Sequence, residues 1–233
     1  MTYSKSLVQF VQKELKAKRN SAKAKEMAAY MKTDMPFYGV QKPERAVIYK
    51  QIKSDFKPAN LKEYQQGVRA LWQLKHREEK YTALTLACQH DEFISSKSLP
   101  LYEQLIREGA WWDFVDVIAI DLVGRAFLKE RKLMKPVMYE WVDDDDFWIR
   151  RTAIISQNKH KKETDEKQLF HHCLARAHEK EFFIRKAIGW ALRNYSYVQP
   201  QSVKQFLKAH KQALSPLSYR EGAKQLVRVG KLT

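Results

Sequence analysis

The chain has 233 residues, of which 44% are hydrophobic, so it can form a hydrophobic core without disulfides or structural metal ions. Lysine and arginine outnumber aspartate and glutamate by 43 to 27, and the formal net charge is +16. Because the positive charge is spread along the sequence instead of forming a tail, it favours a folded surface that binds a polyanion, with nucleic acid preferred over a membrane.

The N-terminal residues predict an amphipathic helix and not an export signal. The segment MTYSKSLVQFVQKELK lacks the uninterrupted apolar stretch of a signal peptide. Elsewhere the apolar runs are broken by charges within a few residues, so no membrane-spanning segment is expected. Cys88 and Cys173 are too few and too far apart for a disulfide framework. We therefore expect an intracellular, cytoplasmic protein.

Helical periodicity continues along the chain and predicts an all-α fold. Glycine and proline are few, at seven each, and apolar residues recur at spacings of three and four without strand-type alternation. The first clear break contains Pro36 and Gly39, after an N-terminal helix pair. No linker is long enough to divide the chain, so we predict one continuous domain over residues 1–233.

An internal repeat of 35 residues organises the helices. The segment FWIRR at 147–151 matches FFIRK at 182–186 almost residue for residue. The same step leads to positions 42, 77, 112 and 217, and each is predicted to lie near a helix start. Pro43 suits a first helical turn, and Asp146 and Ser218 are candidate N-caps.

A repeat of this length, made of two helices, predicts a HEAT-like solenoid of about six helix pairs with a concave basic groove. Tetratricopeptide repeats have a similar period, but their diagnostic spacing of tryptophan, glycine, tyrosine and proline is absent. The HEAT-like interpretation is therefore preferred.

The helix near position 182 carries an unusual tryptophan. Its predicted buried stripe consists of Ile184, Ala187, Ile188, Ala191, Leu192 and Tyr195. Trp190 lies outside this stripe and shares a face with Phe183, Lys186 and Arg193. An indole between two cations suits a cationic or planar ligand, although a tryptophan packed beneath a neighbouring loop is an equally good interpretation.

The repeat places a carboxylate among cations. Asp116, Arg151 and Lys186 occupy equivalent positions, and Trp112 lies one helical turn before Asp116. Neighbouring helices lie roughly 8 to 10 Å apart, so these residues and Trp190 are expected to border one patch. A surface that only holds phosphates gains nothing from an acid, and this favours a reactive site. The alternative is a simple ion pair between Asp116 and Arg151.

Several segments resemble the AlkD-like alkylpurine DNA glycosylases, which are HEAT-like repeat proteins. The similar segments are AWWDFVD at 110–116, WIRR at 148–151, KAIGW at 186–190, YMK at 30–32 and GVQKPER at 39–45. The resemblance covers nearly the whole chain. It implies a catalytic carboxylate at Asp116 and aromatic walls at Trp112 and Trp190.

The resemblance also implies contacts with double-stranded DNA. Arg151 is expected to hold a phosphate, with Arg193, Lys186 and Arg45 as further DNA-binding cations, while Tyr30 and Gln41 are expected to contact the opposite strand. The implied activity is hydrolysis of N3- and N7-alkylated purines by a monofunctional enzyme. We expect it to work as a monomer without a cofactor, metal ion or membrane, and to be nucleoid-associated while it acts on DNA.

Other functions remain open at the level of sequence. A catalytically silent DNA-binding relative would keep the fold and its charge, and a HEAT-like scaffold could bind an acidic protein partner. Neither explains an aspartate between tryptophans. His171, His172, Cys173 and His178 resemble a metal cluster only superficially, because adjacent histidines on a helix point in different directions.

Overall fold

The computed structural model describes residues 2–232 and consists of helices joined by short loops, with no strand in this part of the chain. The helices are α1 (Tyr3–Ala17), α2 (Ser21–Met31), α3 (Lys42–Asp55), α4 (Leu61–Trp72), α5 (Arg77–Gln89), α6 (Leu99–Gly109), α7 (Trp112–Val117), α8 (Gly124–Lys129), α9 (Arg131–Trp141), α10 (Phe147–Ile155), α11 (Glu166–Ala175), α12 (Phe182–Ser196), α13 (Pro200–Ala209) and α14 (Pro216–Arg228). A π-helical stretch, Ile118–Val123, connects α7 directly to α8. The all-α prediction is confirmed.

The 35-residue period places the helix starts correctly. Helices α3, α5, α7, α10 and α12 begin at the predicted positions 42, 77, 112, 147 and 182, and α14 begins one residue early at 216. Asp146 caps α10 as predicted, since its carboxylate accepts the backbone N–H of Trp148 at 2.8 Å. These repeated helix starts agree with a helical-repeat fold.

The prediction that Ser218 caps α14 is wrong. Ser215 is the N-cap, and its hydroxyl accepts the backbone N–H of Ser218 at 3.0 Å. Pro216 explains the difference, because proline is favoured at the first helical position and the cap must then be the preceding residue.

The described residues form two compact units, residues 2–94 and residues 95–232. Each has its own core, represented in the first unit by Leu7, Val11, Ile48, Val68 and Leu86, and in the second by Phe114, Ile118, Ile149, Ile188 and Leu226. The single continuous domain stays a prediction. No helix within residues 2–232 is both long and apolar enough to cross a lipid bilayer.

In the second unit, α12 packs between α10 and α14. Its predicted stripe is confirmed, since all six of its residues are buried. Gly189 permits the close approach of α14, because a β-carbon there would lie 2.4 Å from Cβ of Glu221 and 2.9 Å from the carbonyl oxygen of Ser218. This contact brings Glu221 against the helix that carries Trp190.

In the first unit, a buried carboxylate holds the loop before α3. Glu78 accepts the backbone N–H groups of Tyr38, Gly39 and Val40 at 3.0, 2.8 and 3.1 Å. Gly39 has a φ of +84°, and a β-carbon there would lie 1.9 Å from the carbonyl oxygen of Asn20. The loop is therefore fixed immediately before Gln41, the N-cap of α3.

Replacing Glu78 with glutamine should lower the free energy of unfolding by about 3 kcal/mol, because charge-assisted hydrogen bonds are lost and an amide N–H₂ faces backbone donors. Chemical denaturation measures the change. Glu26→Gln is the matched control, since Glu26 is exposed and forms a surface ion pair with Lys23. Equal stability of the two variants would contradict the role assigned to Glu78.

Candidate active site

The second unit contains a pocket of about 320 Å³. Its lining residues are Trp112, Asp116, Arg151, Phe182, Phe183, Lys186, Trp190, Arg193 and Glu221. The structure therefore brings together the carboxylate, both tryptophans and the two cations that the sequence predicted for one patch, and it adds Arg193 to them. They come from α7, α10 and α12, while Glu221 comes from α14.

Local structure explains how α7 presents its side chains. Trp111 has extended backbone, and α7 begins at Trp112, so Asp116 follows one turn later on the same face. Phe114 and Val115 are fully buried, and this leaves Trp112 and Asp116 half-buried beside the pocket. The π-helical stretch begins two residues after Asp116.

Asp116 and Arg151 form a two-pronged ion pair. Nε and Nη2 of Arg151 donate to Oδ1 and Oδ2 of Asp116 at 2.8 and 2.9 Å. The side chain of Asp116 is 18% exposed and that of Arg151 only 5%. The ion pair considered as an alternative is thus present, but the carboxylate still borders the pocket, so the pair and a reactive role are compatible.

Two opposing effects act on the carboxyl of Asp116. Burial raises its pKa above the ordinary aspartate value, and the hydrogen bonds and charge of Arg151 oppose that rise. Arg151 consequently helps to keep Asp116 ionised in a setting that disfavours a lone negative charge.

The guanidinium group of Arg151 is held in place by hydrogen bonds within the protein. Its Nη1 donates to the carbonyl oxygen of Phe183 at 2.6 Å, so three of its five N–H groups bind protein oxygens. This arrangement suits the positioning of Asp116. The predicted phosphate contact of Arg151 stays a prediction.

Glu221 was missed by sequence reasoning. Its carboxylate is 7% exposed and lies 2.8 Å from Arg193, 2.6 Å from Lys224 and 3.3 Å from Lys186. Burial raises the pKa of this carboxyl, but the hydrogen bonds and charges of Lys224 and Lys186 hold it below the ordinary glutamate value. The repeat itself contained the signal, because 221 lies one further period beyond Lys186.

Two residues predicted to contact DNA line a pocket of about 290 Å³ in the first unit. Tyr30 is 76% exposed there, and the guanidinium carbon of Arg45 lies 4.6 Å from the ring centroid of Tyr81. Gln41 is exposed at the N-cap of α3 and does not line this pocket. Tyr81 also lines this pocket, and the sequence analysis did not single it out although it lies one repeat period before Asp116.

These features define a helical-repeat protein with a carboxylate and two tryptophans in one pocket. The family model described as "DNA alkylation repair enzyme" matches residues 11–226. The chain therefore belongs to this family of DNA repair enzymes, and the suspected relationship to alkylation repair is confirmed.

A solved structure supports the same conclusion. A predicted DNA alkylation repair enzyme from Enterococcus faecalis is 32% identical in sequence and superimposes with a TM-score of 0.82. The match covers 91% of this chain and 98% of that chain. A comparison with curated proteins gives no match.

Replacing Arg151 with methionine should raise the pKa of Asp116, because burial then acts without the opposing cation. It should also cost roughly 3 kcal/mol of stability, since a partly buried charge loses its partner. Carboxyl NMR titration and denaturation measure the two effects. The double variant Arg151→Met, Asp116→Asn should recover part of the stability, and an unchanged pKa in the single variant would refute the coupling.

Proposed function

We propose that the protein is a monofunctional DNA glycosylase. It hydrolyses the N-glycosidic bond of positively charged N3- and N7-alkylated purines in double-stranded DNA, acting as a monomer without a metal ion or cofactor. The observation that carries the proposal is the Asp116 carboxylate, oriented by Arg151 in the pocket that Trp112 and Trp190 also line.

The chemistry of the substrate fits a single carboxylate. A cationic alkylated purine is already a good leaving group, so little acid catalysis is required. Breaking its glycosidic bond leaves positive charge on the deoxyribose, and a fixed carboxylate stabilises that charge and orients a water for attack. Asp116 has the charge, the fixed orientation and the partial exposure for this role.

The tryptophans suit the same cationic species. Indole faces attract cations, and each contact contributes on the order of 1 kcal/mol or more where water is excluded. Trp112 and Trp190 both line the pocket and are half-buried. They would therefore favour the charged nucleotide and the sugar as it becomes positive.

Cations around the pocket suit the phosphates beside the lesion. The side chains of Lys186 and Arg193 are 38% and 28% exposed, so both can reach a backbone that lies over the pocket. Phosphate contacts hold a duplex in register without reading its sequence. In the first unit, Tyr30, Gln41 and Arg45 are the proposed additional contacts.

Changing Asp116 to asparagine should reduce the release of 7-methylguanine from methylated duplex DNA by roughly 100-fold or more, because the fixed negative charge is lost while the shape is kept. Single-turnover product release measures the rate, and fluorescence anisotropy should show that DNA binding persists.

Asp121→Asn is the matched control. Asp121 follows on the same continuous helix but forms an exposed ion pair with Lys159 and does not line the pocket. Its variant should release 7-methylguanine at the wild-type rate. Intact substrate after prolonged incubation with wild-type protein would instead favour a DNA-binding protein without activity.

The rate of release should also fall in acid. The reaction needs the carboxylate form of Asp116, and burial raises the pKa of this group. Protonation therefore removes activity at a higher pH than it would for an exposed aspartate. Below that pKa the rate should fall about tenfold per pH unit. A single-turnover pH series, corrected for spontaneous base loss, measures this acidic limb, and a flat profile down to the ordinary aspartate range would contradict it.

A further inference from the structure

A second basic pocket lies in the same unit, with a volume of about 370 Å³. Its lining residues are Lys204, Lys208, Lys211, Tyr219, Gly230, Lys231 and Leu232. We call it the lysine pocket. None of these residues lines the pocket of Asp116.

The four lysines come together from separate segments. Lys204 and Lys208 lie one turn apart on α13, so their side chains share a face. The ammonium group of Lys211 lies 5.8 Å from the ring centroid of Tyr219 on α14. Lys231 follows Gly230, whose φ is +66°, and its N–H donates to the carbonyl oxygen of Leu226 at 2.8 Å. The fold therefore gathers like charges at one place.

Carboxylate side chains are scarce in the segments that form the lysine pocket. Residues 200–233 contain seven lysines and arginines but a single carboxylate side chain, that of Glu221. Glu221 is occupied by Lys186, Arg193 and Lys224. No acidic residue lines the lysine pocket, and within residues 2–232 none of its lysines forms an ion pair with a carboxylate side chain.

Some other lysines of the same unit are paired with carboxylates. Lys135 lies 2.5 Å from Asp165, and Lys159 lies 2.5 Å from Asp121. Convergent ammonium groups repel one another, and a bound anion of high charge density relieves that repulsion. A lysine cluster that lines a concavity and lacks carboxylates is the arrangement that phosphate groups favour.

The lysine pocket and the Asp116 pocket lie on different sides of α14. Tyr219 lines the first and Glu221 the second, and residues two apart on a helix point about 200° away from each other. A phosphate in the lysine pocket is therefore separate from those directly over Asp116.

We propose that the lysine pocket binds backbone phosphates of DNA at a distance from the lesion, so that the protein holds its substrate at a second place. The inference depends on the proposed function in one respect, namely that the bound polyanion is DNA. Such contacts add affinity without sequence preference, and each one makes binding more sensitive to salt.

The test is the salt dependence of binding to long, undamaged duplex DNA. The variant Lys208→Gln, Lys211→Gln removes two exposed charges from the pocket. The slope of log K against log salt should become shallower by about 2, since each phosphate contact contributes about 0.9. The matched control Lys132→Gln, Lys167→Gln removes two exposed charges outside both pockets and should leave the slope close to wild type.

The outcomes separate this inference from glycosylase activity. Equal slopes for the two variants would overturn the lysine pocket, whatever the rate of 7-methylguanine release. A shallower slope in the pocket variant alone would support it even if no base is released. Inorganic pyrophosphate could instead raise the melting temperature of the wild-type protein but not that of the pocket variant. Together with equal salt slopes for DNA binding, that result would overturn the DNA proposal in favour of a small phosphorylated ligand.

Discussion

The ion pair of Asp116 with Arg151 is the interaction on which the candidate site depends. A carboxylate that is 18% exposed needs a compensating charge, and Arg151 supplies it through two hydrogen bonds. The same guanidinium donates to the carbonyl oxygen of Phe183. One side chain on α10 therefore connects α7 with α12 and fixes the direction of the Asp116 carboxylate between them.

The repeat explains why these groups meet. Equivalent positions of stacked repeats are neighbours in space, and the positions one period apart are Asp116, Arg151, Lys186 and Glu221. The row reads acid, cation, cation, acid, with ion pairs between its first two and last two members. One position of the repeat thus supplies these four charged groups of the pocket, while Trp112 and Trp190 do not belong to this row.

The sequence was most informative where a regular pattern decides the structure. The 35-residue period located the helix starts, and helical spacing identified the buried side of α12 and the position of Trp190 outside it. Side-chain pairing was harder to predict, because the choice of partner depends on rotamers and on distances between helices. The engagement of Arg151 with the protein and the place of Glu221 required coordinates. The N-cap of α14 lies at Ser215 and not at Ser218 because Pro216 takes the first helical position.

The π-helical stretch after Asp116 determines the directions in which side chains point along the continuous helix formed by α7, this stretch and α8. Buried residues recur in pairs with a spacing of four, at 114 and 115, 118 and 119, 122 and 123, and 126 and 127. In a regular α-helix a step of four overshoots a full turn by about 40°, so this pattern would wind around the axis. The wider π turns absorb that drift. If the same six residues, Ile118–Val123, were wound as a regular α-helix, the end that carries Asp116 would be rotated by about 100° relative to the other end, turning the aspartate away from its arginine.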